Sequence, residues 1–394
     1  MGIAPVYLDH AATTPVRPEV RDAMLPFLGE ETFGNPSSAH RWGRAARAAL
    51  EGARRDLAGA LGLAPTTVYF TSGGTEADNL ALLGTVAAAR DAGRPASAVV
   101  AATEHKAILA AAHEVGRQGG TEFLLPVGSD GLLDLAALDE ALARHPAVVS
   151  VMWVNNETGV IQPVEAIAAR CRAAGTMFHT DAVQALGKVP LRMERLPGAL
   201  ATISGHKLGA PKGIGALLVP DRDRLAAMIH GGGQQRGLRP GTENVAGAVG
   251  LARAVTLATA EADAEAARLA ALRDDLEGRL RTALPDLVVH GAAAARAPHI
   301  LSVAIPGTDS EAMLMHLDLA GVAASSGSAC TTGAVEPSHV LTAMGVSREL
   351  AVGTIRLSLG WRSGPEDVER AALAVPEAAA KVRRLSRVLG RAQA

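Results

Sequence analysis

Lysine is scarce in this chain, confined to Lys106, Lys188, Lys207, Lys212 and Lys381, so a reaction that needs a primary amine has few candidates. Lys207 closes the segment Ser204-Gly205-His206-Lys207 behind an apolar run. In a dry pocket its pKa would fall and the free amine could form a Schiff base with a carbonyl cofactor, with Ser204 and His206 able to contact a phosphate. A surface lysine ahead of a glycine turn is the competing reading, and spacing alone does not prefer Lys207 over Lys212. Thiols are scarcer still: Cys171 and Cys330. Cys330 stands in Ser325-Ser326-Gly327-Ser328-Ala329-Cys330-Thr331-Thr332-Gly333, small polar residues that suit a thiolate travelling to a substrate. The bland alternative is a tolerated small residue in a loop, although exposed free thiols are open to oxidation. Cys171, inside the helical stretch 167–174, reads as packed and inert.

Other candidates are ambiguous one at a time. Asp181 follows an apolar run, with Gln184 three residues on. A carboxylate there could keep a pyridine nitrogen protonated and make the ring an electron sink, or simply cap a helix. Thr71-Ser72-Gly73-Gly74-Thr75-Glu76 offers N–H groups and hydroxyls at a helix N-terminus, an anion site or an ordinary capping turn. His105 could stack on a flat cofactor and shuttle protons, or be a satisfied structural histidine. Asn155-Asn156-Glu157-Thr158-Gly159 could lend side-chain amides to a ligand or form a tight turn. Arg356, charged within an apolar strand pattern, calls for a carboxylate partner, from a substrate or from an internal Asp or Glu.

The elements that must position these residues alternate in the βαβ manner, which predicts an α/β fold with a largely parallel sheet. Candidate strands are 68–70, 98–102, 148–154, 177–180, 201–203 and 216–219. Polar residues at 71–75, 103–106, 155–159, 181–184 and 204–207 follow the strand ends, where open α/β sheets bind ligands, so one pocket could collect them. Residues 246–283 read as a long helix stopped by Pro285, a plausible interdomain element. Beyond it, 288–290, 299–305, 322–324 and 354–359 read as strands of a smaller C-terminal α/β domain.

At 394 residues with 48% apolar content, the chain has material for roughly two domains. Lys+Arg 38 against Asp+Glu 40 leaves a net charge of -2, giving no electrostatic reason for direct nucleic-acid binding. Two thiols do not make a disulfide scaffold. No basic, apolar leader pattern opens the sequence and no apolar run approaches the length of a membrane span, so a cytoplasmic protein without a membrane partner is expected.

Taken jointly, these segments resemble the cysteine desulfurases, in the class V aminotransferase group of fold-type I pyridoxal-phosphate enzymes. The matching motifs run nearly the whole chain: 7–15 (YLDHAATTP), 33–38 (FGNPSS), 71–79, 103–109 (TEHKAIL), 154–163 (VNNETGVIQP), 178–188 (FHTDAVQALGK), 204–215, 231–244 (GGGQQRGLRPGTEN) and 325–341 (SSGSACTTGAVEPSHVL). The serine-rich sequence before Cys330 is the group I form, the branch serving iron–sulfur cluster assembly. His10 stands where many relatives have Asn, Gly74 replaces a common Ala, and Leu208-Gly209-Ala210-Pro211 differs from the usual bulkier sequence.

The resemblance implies a seven-stranded, mainly parallel sheet flanked by helices in a large domain at 14–261. It implies a small domain built from 1–13 with 262–394 that carries the cysteine loop. Pyridoxal 5'-phosphate would be held on Lys207, with Asp181 on its ring nitrogen and His105 stacked above, assisting proton transfer. Gln184 and Asn156 would meet its phenolic oxygen; Gly74, Thr75, Ser204 and His206 would bind its phosphate, and Thr242 would reach the phosphate of a neighbouring subunit in a homodimer. Arg356 and Asn35 would orient the carboxylate of L-cysteine, Asn156 lying near the substrate as well. Cys330 would accept the sulfur as a persulfide, with L-alanine released, and pass it to an iron–sulfur scaffold or another acceptor protein. No resident metal is implied, although a transferred iron–sulfur cluster could touch Cys330. A selenocysteine lyase or other class V enzyme, and a non-catalytic scaffold protein, are the alternatives.

Overall fold

The computed structural model describes residues 5–190, 193–326 and 337–392, with side chains of the last helix to residue 385. Strand β1 (Val6–Tyr7) and helices α1 (Pro18–Met24) and α2 (Arg41–Ala60) come first. Then follow β2 (Val68–Thr71), α3 (Gly74–Asp91), β3 (Ser97–Ala101), α4 (Lys106–Arg117), β4 (Thr121–Leu125), α5 (Leu135–Leu142), β5 (Val148–Ser150), α6 (Val164–Ala173), β6 (Met177–Asp181), β7 (Leu200–Ser204) and β8 (Gly215–Leu218). Helix α7 (Val245–Ala283) leads to β9 (Val288–Val289), β10 (Ile300–Ala304), α8 (Ser310–Leu319), β11 (Val322–Ala323), α9 (His339–Ala343), α10 (Arg348–Val352), β12 (Thr354–Ser358) and α11 (Pro365–Ala392).

Seven strands form one sheet in the order β2-β8-β7-β6-β5-β3-β4, parallel except for β8, as expected. Its strands are apolar on both faces because helices cover both. Alternate residues separate accordingly: Val99, Phe178 and Ile203 join one core with Leu57 of α2 and Leu251 of α7, while Val100, Met177 and Leu200 join another with Leu82 of α3 and Ile108 of α4. A third core unites Val6 and Leu8 with the second half of α7, the antiparallel sheet β12-β10-β9, α8 and α11. On this distribution we propose the division into 14–261 and 1–13 with 262–394.

Helix α7 supplies both cores, Leu251 and Val255 to the first and Leu272, Leu276 and Leu280 to the third. Contrary to the sequence reading, this helix is long and apolar enough to span a membrane by length and composition, yet half of its most apolar window is buried inside the protein. The stretch is alanine-rich and apolar because it packs closely against neighbouring helices, here α2 and α1. Leu276 is wholly buried where α7 enters the third core. Leu276→Ala should lower unfolding free energy by about 2–5 kcal/mol, read as a fall in the urea midpoint; an unchanged midpoint would show that this half of α7 does not hold the core.

Candidate active site

The carboxyl ends of β2, β3, β5, β6 and β7 face one edge of the sheet, and their following turns line a cavity of about 350 Å³. Beyond β2, Gly73 caps α3 and the free N–H groups of Gly74 and Thr75 open into the cavity. A Cβ on Gly215 would lie 2.8 Å from Gly73 Cα, so glycine there lets the start of β8 press against this turn. At Gly74 a Cβ would meet Ser204 and Val183 at 3.4 Å, a tight contact their side chains must absorb.

Beyond β3, His105 caps α4 by accepting the Ala107 N–H on Nδ1 at 3.1 Å, which leaves the ring proton on Nε2 by assignment. Its ring is exposed on the cavity wall. Asp181 ends β6 and accepts the Val183 N–H at 2.8 Å. Lys207, in the short turn after β7, donates to the carbonyls of Ala11 and Ala12, both at 2.6 Å. The competing Lys212 is exposed. The segment before α1 thus lies over the lysine turn, tied also by Thr14 Oγ1, which donates to His206 O and accepts the Gly209 N–H.

Desolvation governs the titrations here. It brings the Lys207 ammonium down to about 8, helped by Arg356 and opposed by Asp181 and Asp9. Burial, reinforced by Lys207, Lys212 and Lys188, lowers His206 to about 4, so its imidazole is neutral at neutral pH; its Nδ1 faces Thr13 Oγ1. Asp78 and Glu104, completely buried, are pushed well above the carboxylate range by burial, with Asp181 adding repulsion to both. Burial raises Asp181 as well, opposed by the Val183 N–H bond and by Lys207. Of the three carboxyls, Asp181 is the one for which a neighbouring lysine, Lys207, opposes the rise.

The cavity collects Gly74, Thr75, His105, Asn156, Asp181 and Gln184, together with Ser204, His206, Lys207 and Arg356. The carboxylate that Arg356 called for is Asp9: Nη2 donates to it at 2.8 Å and Nη1 donates to Asn156 O at 2.8 Å, while Nε has no partner. Asn35 is not brought in; it is exposed, its Oδ1 accepting the Ser37 N–H. Thr242 is likewise exposed, away from this cavity. Cys330 lies outside the described residues. On either side of it, Ser325 exchanges backbone hydrogen bonds with Arg356, and Ser338 Oγ donates to Glu157, whose carboxyl burial pushes up to about 7. Cys171 is packed, its thiol pushed up to about 12 by burial. Among the described residues, no group of three or more His, Cys, Asp and Glu could hold a metal ion.

A model of the aminotransferase class-V family matches residues 6–371. The chain belongs to the class-V aminotransferase family. Among its class-V relatives, cysteine desulfurase IscS of Dictyoglomus turgidum is 41% identical over 363 residues, 92% of this chain and 91% of that one. The solved NifS-like protein of Rickettsia africae superposes with a TM-score of 0.85 at 34% identity, covering 95% of this chain and 99% of that one. SspA in complex with cysteine gives a TM-score of 0.77 at 31% identity, over 90% and 98% of the two chains. Family enzymes depend on pyridoxal phosphate.

Sequence reasoning missed Asp78, Glu104 and the carbonyls of Ala11 and Ala12. Asp78 and Glu104 lie within quoted motifs, but a charge inside a helix or before a histidine carries no mark of burial. In the protein without cofactor, Lys207 should react with a small aldehyde and borohydride at a rate rising through about pH 8, since the amine is free only above its pKa. Peptide mapping against pH checks this; a midpoint near that of an ordinary lysine would contradict the desolvated environment.

Proposed function

We propose that this protein is a pyridoxal-phosphate-dependent cysteine desulfurase of group I type, a cytoplasmic homodimer that moves sulfur from L-cysteine through Cys330 to an acceptor such as an iron–sulfur scaffold. The observation that carries the reading is the convergence of Lys207, Asp181, His105 and a phosphate-type donor set on one cavity. The donors suit the cofactor: the N-terminus of α3 with Thr75, Ser204 and neutral His206 for a dianion, and Asp181 for a ring nitrogen. The buried Asp78 Oδ1, without a partner, lies along the same wall.

When bound, pyridoxal phosphate supplies an electron-withdrawing ring that stabilises negative charge developing at the amino-acid Cα. Lys207, its pKa already lowered, would hold the cofactor and, once the substrate amine replaces it there, would take or return the Cα proton. Asp181 keeps the ring nitrogen protonated as its counter-ion, and His105, held by the Ala107 N–H, presents Nε2–H over the cavity. Arg356, with an unpartnered Nε, lies where it can bind the substrate carboxylate against Asp9. The Cys330 thiolate attacks the substrate sulfur. The carbon–sulfur bond breaks, its electron pair remains on carbon and is protonated to give L-alanine, and the transferred sulfur stays on Cys330 as a persulfide.

Exposed Leu25, Leu28, Phe33 and Trp42, with Asn35 and Thr242 also outside the cavity of their own chain, support a dimer in which the loop bearing Thr242 serves the neighbouring site. The test is incubation with L-cysteine: Lys207→Ala should lose both the yellow colour and alanine production, and Cys330→Ser should keep the colour and lose alanine. Turnover retained by Cys330→Ser, or release of selenide from selenocysteine in strong preference to sulfide, would favour a lyase. Wild-type protein that stays colourless with added pyridoxal phosphate would favour a scaffold.

A further inference from the structure

Among the described residues, Lys188 is the buried lysine next to the cavity for which the chemistry above has no use. It is 8% exposed, and its Nζ donates to Gln184 Oε1 at 3.2 Å. Among the described residues no carboxylate pairs with it. The helical turns after Asp181, with Leu186 N–H on Ala182 O and Val189 N–H on Ala185 O, set Gln184 and Lys188 on one face at i,i+4 spacing. Gly187, at φ +72° and with room for no Cβ beside Ala258, turns the chain inward there.

Gln184 Oε1 has a second donor. His299, completely buried at the start of β10, places Nε2 at 3.2 Å from the same oxygen. An amide oxygen only accepts, so Nε2 carries the proton by assignment. On the other side of the amide, Nε2 of Gln184 donates to Ala11 O at 2.8 Å. Rotating the amide by half a turn would set its NH₂ against the Lys188 donor and its oxygen against a carbonyl, and would drive the His299 proton onto Nδ1, which is buried without a partner. Lys188 has an N–H to give whether charged or neutral, and burial with Lys207 nearby brings its ammonium down to about 7. The amide polarity is therefore fixed from behind, and the second N–H of Gln184 is the group left for a ligand in the cavity it lines.

We propose that Lys188 and His299 are positioning residues, which hold Gln184 so that a bound pyridoxal phosphate always meets an N–H donor, and never the amide oxygen, at its phenolic oxygen. The inference rests on the cofactor reading above and deepens it. A donor there favours the deprotonated chromophore of the resting holoenzyme. Losing it should raise the pH at which the visible absorption titrates. Lys207, His10, His206 and His299 are the titratable groups that sense or oppose the Lys188 charge, and Arg17, Glu261 and Glu265 share a small cavity of about 50 Å³ with it.

The experiment is a spectrophotometric pH titration of the reconstituted full-length holoenzyme. Lys188→Met and His299→Leu should each move the midpoint upward by about one pH unit, and His299→Gln, which can still donate to the amide oxygen, should return it toward wild type. In a Gln184→Leu background, Lys188→Met should move it no further. A shift that persists there shows that the lysine acts by charge alone and overturns the proposal, as do midpoints unmoved in both single variants. Removing an unpaired buried cation should not unfold the protein. Should Lys188→Met still fail to take up cofactor, the His299 pair decides: a shift in the leucine variant with recovery in the glutamine variant supports the proposal, and equal behaviour of the two refutes it. Colourless wild type refutes the cofactor reading itself, whereas coloured wild type with unmoved variants refutes this inference alone.

Discussion

Taking ionisable groups out of water at one edge of a parallel sheet is the constraint on which the site depends. Desolvation penalises each charged form, so Lys207 moves toward the free amine and Asp78 and Glu104 toward the neutral acid. What stays charged is what has an opposite charge in reach. Asp181 has Lys207; Asp78, behind it, has His179 at 3.8 Å, which burial keeps neutral by lowering it to about 3. Asp181 is thereby set apart from the other two carboxyls as the one that shares the cavity with a lysine.

The fold builds this edge from two directions. Five parallel strands deliver their terminal turns to it, and the segment leading from β1 to α1 crosses over from the third core to cover Lys207 with the carbonyls of Ala11 and Ala12. Arg356 on β12 joins the same wall through Asp9 and Asn156. Since α7 runs unbroken through the first and third cores, these contributions share one rigid strut. The pocket is consequently a product of both cores, and so are the anchors at Ser325 and Ser338 that flank the Cys330 segment.

Differences between expected and observed elements have local causes. The regular strand in the run 148–154 ends at Ser150, because the Met152 N–H is taken by the Glu104 carboxyl, although the Val151 and Trp153 N–H groups still donate to His179 and Asp181 of β6. Strand β4 was not anticipated: an edge strand is half exposed, and Thr121–Leu125 lacks the unbroken apolar run of its neighbours. Strand β1, two residues long, owes its existence to pairing with β11, more than three hundred positions away.

Residue chemistry and order along the chain were legible without coordinates. The alternation of apolar runs with alanine-rich helices sets a parallel α/β sheet, and the placement of Thr71–Glu76, His105, Asp181 and Lys207 just past apolar runs marks the ligand edge, because backbone geometry makes side-chain periodicity and strand ends local properties. The tertiary structure alone decided that Lys207 is desolvated and Lys212 is not, that Asp9 answers Arg356, that Asn35 and Thr242 lie outside their own cavity, and that Lys188 and His299 meet on one amide oxygen. Those are through-space facts: burial, charge coupling and hydrogen-bond direction depend on residues brought together from opposite ends of the chain, and spacing along it does not encode them.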